Sequence, residues 1–208
     1  MAHPASVEPH FAYVGGDPAL DLINTADWTS RGPESERLES YEQFTRWAEG
    51  AGVIDAATGR RLRRLGEARR RAAAAALEGA LEARGILHDL FSAIARGEPS
   101  ESQLARFNRV LGKAVSALEI APVEGPGTGY RQRWQGEESD PRALVWRVLW
   151  SAARLLQSDE IGNVRVCDGD DCGWMYVDRS RNGFRRWCQM RTCGTREKTR
   201  RRRVLGPT

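Results

Sequence analysis

Apolar side chains recur at helical intervals through most of the first 160 positions, and that rhythm stops near residue 160. Tyr41, Phe44, Trp47 and Ala48 form one stripe. Ser40 precedes it with Gln43 at capping-box spacing, and Gly50 and Gly52 mark its end. Asp55 is placed to cap a second helical stretch, from 56 to about 94, whose apolar side carries Leu77, Leu81, Leu87, Leu90, Phe91 and Ile94. Gly85 interrupts it at a cost of about 1 kcal/mol relative to alanine, so a break or bend is expected there. Beyond a loop at 97–100, Ser100 or Ser102 caps a helix through about 118. Residues 119–135 read as two short strands joined by a glycine-rich turn at 125–129. Asp140-Pro141 opens a last helix through about 158, since proline loses no hydrogen bond at the first helical position. Leu144, Val145, Val148, Leu149, Ala152, Leu155 and Leu156 form its buried side, with Trp146 and Trp150 adjacent. The pattern predicts a mainly α domain with a small β-hairpin over 1–160, followed by a second unit over 161–208.

With 208 residues, 40% of them apolar, the chain can bury a sizeable core. No apolar run approaches the ~20 residues that cross a bilayer, and the first residues lack the basic and apolar regions of a signal peptide. A cytoplasmic protein without a membrane partner is expected. Charge changes the picture more. Residues 165–203 hold twelve Lys/Arg against five Asp/Glu, a net +7, which leaves −3 for the remainder of a chain whose total is +4. A basic end on a mildly acidic body points to a polyanionic partner.

All four cysteines fall in that basic end, as Cys167-x4-Cys172-x15-Cys188-x4-Cys193. Two thiolate pairs with short spacers can meet one tetrahedral zinc ion, and the gap suits a hairpin returning to the metal. The alternatives are disulfides or four unrelated buried thiols; the clustering and a reducing compartment favour the metal. His3, His10 and His88 all lie far upstream, so an all-cysteine site would have no open position for metal catalysis. Trp174 to Val177 reads as a strand, 184–187 as its returning partner, and the sequence after Cys193 as a helix carrying the fourth ligand. Knuckle, hairpin and helix together predict a treble-clef-like α+β zinc finger with one structural Zn2+.

Around the cysteines stand Arg179, Arg181, Arg185, Arg186, Arg191, Arg196, Lys198, Arg200, Arg201, Arg202 and Arg203. Guanidinium forks match phosphate oxygens two at a time, so all eleven are candidate nucleic-acid contacts; a solvated basic tail is the alternative for the last four. Arg196, Arg200 and Arg203 share one helical face. Trp174 and Trp187 can stack on bases but fit better as a small core. The arginines at 60–64 and 69–71 read as a solvated face.

The residues from Cys167 to Arg203 resemble the CGNR zinc finger, a module of bacterial stress-induced transcriptional regulators. The likeness lies in Cys167, Cys172, Trp174, Asp178, Ser180, Arg181, Arg185, Arg186, Trp187, Cys188, Met190, Cys193, Gly194 and Arg196. Thr195 stands where the family motif has asparagine; it retains an oxygen that can accept a backbone hydrogen bond near a helix start. Upstream, Gly16, Leu20, Asp21, Asn24 and Thr25 are similar to the start of the ABATE domain that precedes this finger. The resemblance implies a DNA-binding transcriptional regulator whose first domain senses an unidentified small-molecule effector. Asp21, Asn24 and Thr25 are candidate ligand-binding residues, against a simpler role as cap or turn. Trp28, Trp47, Trp134, Trp146 and Trp150 could wall a cavity, with core packing as the default. Structured RNA or ribosomal components, or an acidic protein partner, are the alternatives to DNA. A homodimer would suit a two-fold operator, although no heptad declares one. No nucleophile–base pair or phosphate loop appears, so no enzyme is expected.

Overall fold

The computed structural model describes residues 11–29, 32–123 and 129–205. Its first elements are α1 (Pro18–Ile23), β1 (Ala26–Thr29) and β2 (Gly32–Glu36). Then come α2 (Tyr41–Gly50), α3 (Ala56–Ala68), α4 (Arg70–Arg96) and α5 (Glu101–Val115). A hairpin of β3 (Leu118–Pro122) and β4 (Tyr130–Trp134) leads to α6 (Ala143–Leu156). After a 3-10 turn (Asp159–Asn163) follow β5 (Val164–Val166), β6 (Met175–Val177), a π-turn (Met190–Gly194) and α7 (Thr195–Leu205). The architecture is mainly helical with small antiparallel strand pairs, as the apolar rhythm predicts. Among the described residues, no helix is long and apolar enough to cross a membrane.

Local chemistry sets the boundaries. The Ser40 hydroxyl accepts from Gln43 N (3.1 Å), but the Gln43 side chain reaches back to Glu39 N and not to Ser40. Ser100 and Gln103 complete the reciprocal capping box. Asp55 caps α3 by accepting from Thr58 N at 2.7 Å. The long stretch does not break at Gly85, which sits inside α4. It breaks at Arg69 (φ −125°, ψ 56°), where the chain turns back and the guanidinium donates to Ser139 O. The turn lets α3 and α4 both pack on α2. Close approach is possible because a Cβ on Gly66 would lie 2.8 Å from the Tyr41 ring.

α4 is the axis of the body. Ala73, Ala76, Ala80, Ala83, Leu87, Leu90 and Phe91 form its buried side, and it touches every other body helix and β5. Phe44 stacks on Trp47 (5.7 Å), both fully buried, and Phe107 and the apolar side of α6 close the core. Trp28, Trp47 and Trp134 are buried and Trp146 and Trp150 half-buried; all but Trp134 pack with this core. Trp134 is covered by the Arg147 guanidinium, which pairs with Glu137.

One hairpin is missing from the sequence reading: β1–β2, whose second strand, Gly-Pro-Glu-Ser-Glu, is polar and exposed. The strand of Trp174 to Val177 also has a different partner from the one expected. β6 pairs with β5 upstream, Val164 opposite Val177, and residues 184–187 form no strand. The turn at 125–128, His3 and His10 lie outside the described residues.

Candidate metal centre and its seam with the body

β5 ends on Val166, and Cys167 follows with its N–H on Trp174 O (2.8 Å). The chain then folds into a knuckle through Gly169 and Asp171, the latter at φ +51°, which returns Cys172 to the first cysteine. The second pair arrives on a loop organised by Asp178. Its two oxygens accept from Ser180 N (2.9 Å) and Arg185 N (3.0 Å), and the Ser180 bonds hold the carboxyl below its ordinary range. Arg185 lies over the Tyr176 ring at 3.9 Å and donates to Cys188 O, Trp187 O and Val14 O. Cys193 sits in the π-turn that launches α7, as the helix-borne fourth ligand requires. Thr195 Oγ1 donates to Met190 O (3.0 Å); the hydroxyl tightens the π-turn and does not cap α7 by accepting.

The four sulfur atoms all lie within 4.8 Å of one another, and every cysteine but Cys172 is buried. Sγ of Cys188 is 3.6 Å from that of Cys193 and 4.0 Å from that of Cys172. A tetrahedron with zinc–sulfur bonds of about 2.3 Å separates its sulfurs by roughly 3.8 Å, whereas a disulfide needs about 2.0 Å. The spacing fits one tetrathiolate ion. Gly169 fits it too, since a Cβ there would press to 3.0 Å on the Cys193 sulfur and 3.3 Å on the Cys167 sulfur. The Cys167 sulfur accepts from Cys188 N (3.2 Å) and Gly169 N (3.4 Å), the pattern of a thiolate. Hydrogen bonds from its neighbours pull the Cys167 thiol down to about 2, and the same sharing pushes Cys172 up to about 12. So crowded a set ionises fully only around a cation. Cys167, Cys172, Cys188 and Cys193 would hold zinc, which would supply structural cross-linking.

The finger is not a separate bead. The outer edge of β6 is covered by the body: the Asn24 side-chain amide donates to Met175 O (2.8 Å) and accepts from Met175 N (2.9 Å), and Gly15 O receives Val177 N. Asn24 thus behaves as the peptide unit of a neighbouring strand. Gly173 N donates to Trp28 O at 2.8 Å, and a Cβ on Gly173 would fall 2.6 Å from the Trp28 Cβ. Trp174 Nε1 donates to Ala26 O and Arg179 to Gly16 O. His88 stacks on the Trp28 ring at 3.6 Å. Thr25 donates to Leu22 O (2.6 Å) and accepts from Arg84, a buried guanidinium that also pairs with Glu36. Asp21 accepts from Gly15 N (2.8 Å), and burial raises its carboxyl to about 6. The three residues offered as a ligand lining therefore face inward, on the seam and on their own turn.

That seam went unseen in the sequence. Asp17-Pro18 repeats the helix-start signal of Asp140-Pro141 and caps α1 through Ala19 N (2.8 Å), so α1 itself was legible. No local signal ties Asn24 to a strand 151 positions away.

The basic residues divide. Arg185 is internal to the module; Arg179 is held by Glu160 and Gly16 O; Arg186 pairs with Asp168 (2.8 Å); Arg200 and Arg201 pair with Glu197. Arg181, Arg191, Arg196, Lys198, Arg202 and Arg203 are exposed and have no hydrogen-bond or ion-pair partner among the described residues. Trp174 and Trp187 pack with the small cysteine cluster. Between the β1–β2 hairpin and the module lies a cleft of about 460 Å³, with Trp28 and Arg37 on one wall and Cys172, Cys188, Thr192, Cys193 and Arg196 on the other.

Comparison with protein families accounts for this pairing of parts. The family ABATE, described as "Putative stress-induced transcription regulator", matches residues 16–159, and the CGNR zinc finger matches residues 163–204. No curated protein matches the chain. With more than half of its length covered by the first of these, the chain belongs to the ABATE family and carries a CGNR zinc finger behind that domain.

Proposed function

We propose that the protein is a cytoplasmic DNA-binding transcriptional regulator, a binding protein and not an enzyme. Its finger is organised by a single structural zinc and grips the phosphate backbone. The supporting observation is the set of six exposed cations, Arg181, Arg191, Arg196, Lys198, Arg202 and Arg203, that have no hydrogen-bond or ion-pair partner among the described residues. Four protein thiolates fill a tetrahedron, so the metal has no open position and acts by holding α7 and the Arg181 loop in place. Arginine and lysine so held neutralise phosphates and release counterions, which gives steep salt dependence. The five other basic residues support the module's shape first and reach nucleic acid second.

The ABATE portion is the sensing part. Because Asn24, Gly15 and Trp28 contact β6 and the knuckle directly, an effector that shifts α1 or the β1–β2 hairpin would shift the finger. A homodimer would set two fingers on the half-sites of a two-fold operator.

The test is titration of the purified, zinc-loaded protein with duplex DNA, hairpin RNA and an anionic polymer at two salt concentrations. Duplex DNA retained best at the higher salt supports the proposal. A preference for the RNA hairpin, or equal loss of all three, overturns it and favours an RNA-binding or acidic-partner role instead.

A further inference from the structure

We propose that the tetrathiolate centre is also a modification site, in which Cys172 is the point of attack for a hydroperoxide and Cys188 the resolving thiolate. The inference rests on the zinc reading above and goes beyond it. A metal-bound cysteine is deprotonated outright and is therefore a nucleophile whenever a reagent can reach it. Cys167, Cys188 and Cys193 are 6%, 3% and 7% exposed, and the Cys167 sulfur is further quieted by two backbone N–H groups. Cys172 is only half-buried. It lies on the wall of the cleft between the β1–β2 hairpin and the module, and that cleft also opens onto Cys188 and Cys193 but not onto Cys167. The Cys188 sulfur is 4.0 Å from that of Cys172, so a disulfide needs only a short closing movement. Arg196, on the same wall, offers a cation to a departing hydroxide.

The chemistry balances. The Cys172 thiolate attacks the terminal oxygen of the hydroperoxide, the O–O bond breaks, and hydroxide (alkoxide from an organic hydroperoxide) leaves and takes a proton to become water (or alcohol). Cys172 is then a sulfenic acid. The Cys188 thiolate attacks that sulfur, an S–S bond forms, and the second hydroxide leaves and takes a second proton. In sum, two thiolates, one hydroperoxide and two protons give one disulfide and two molecules of water (or one of water and one of alcohol). Two of four ligands are lost, and the Cys193 turn that launches α7 is no longer cross-linked to the knuckle.

The protein as purified is first analysed for zinc; less than stoichiometric metal would count against the zinc reading itself, separately from this proposal. Stoichiometric protein is then treated with hydrogen peroxide under native conditions. Released zinc is followed with a chromophoric chelator, and the products are mapped by mass spectrometry. The expected result is one zinc released per disulfide, with Cys172–Cys188 the first disulfide to appear. Thr192→Phe narrows the cleft without replacing a ligand and should slow release by at least about fivefold, read on protein shown to keep stoichiometric zinc. A first disulfide lacking Cys172 overturns the proposal, and so does zinc release no faster than global unfolding. If Thr192→Phe does not fold, the disulfide map of the unmodified protein alone decides.

Discussion

Replacing Asn24 by alanine tests whether this residue belongs to a ligand pocket or to the seam. The side chain is 2% exposed, and both its polar atoms meet the main chain of Met175, itself fully buried. Alanine leaves the Met175 N–H and C=O without partners, since the β5 strand occupies the other edge of β6. Each buried orphan costs about 1–3 kcal/mol, so the pair costs about 2–6 kcal/mol. Set against the 5–15 kcal/mol of a typical fold, that is a large fraction. For a chain of this size, 1 kcal/mol moves Tm by about 2–4 °C, which puts the fall at roughly 5–20 °C. The assay is thermal unfolding with zinc in excess, together with hydrogen exchange at the Met175 amide, which should accelerate. Asn24→Asp keeps the acceptor but loses the donor and so should rescue little. A Tm within about 2 °C of the parent for Asn24→Ala would refute the seam assignment and return Asn24 to the candidates for ligand binding.

Other outcomes follow from the same geometry. Burial raises Asp21 to about 6, above the unfolded carboxylate value, so the native state holds a proton that the unfolded chain has released. Stability from this group is therefore present below the unfolded pKa and lost as pH rises toward 6, a swing of roughly 3 kcal/mol. The difference in Tm between the parent and Asp21→Asn, measured from pH 4 to 7, should trace that window; parallel curves would contradict it. Arg185→Ala should cost zinc retention and stability, because it removes the staple over Tyr176 and the bonds to Cys188 O and Val14 O. Arg181→Ala and Arg191→Ala should leave melting unchanged and lower DNA affinity, each reducing the salt slope by about 0.9 for every phosphate left unneutralised. Equal behaviour of the three variants in melting would sink that division. Chelation of the metal should release four titratable thiols and dissolve the order of the knuckle and α7 while α2 to α6 keep most of their circular dichroism, because the body core is built mainly from body side chains and takes in the finger through Val164, Met175 and Val177.

Much of this molecule could be read from its residues, for identifiable reasons. Helix boundaries carry their own chemistry within three or four positions, as Ser40, Asp55 and Ser100 show, and ligand spacing is equally local. Elements whose stability is not local escaped such reading. β2 has no apolar alternation because its polar side chains face water, and it is held by Arg84 on Glu36 and by its pairing with β1. The choice of Val164–Val166 over 184–187 as partner of β6 turns on the Asp178 loop, whose bonds curl residues 180–185 away from an extended course. Gly85 was misleading because a helix tolerates glycine where neighbouring turns are packed, while Arg69 yields to the demands of two helices sharing α2. The cysteines announced the centre, but no spacing announces which arginines the protein has already engaged.

The alanine ladder of α4 has a mechanical consequence. Small side chains bring the neighbouring helices so near that the body has little slack, and one rod bears on α1 and on β5 alike. A wedge driven in anywhere along it, such as a longer side chain at Ala80 or Ala83, would not be absorbed where it enters. It would travel down the rod and arrive as a tilt beneath the finger, so lesions far from any cysteine should look, to a geneticist, like lesions in the finger itself.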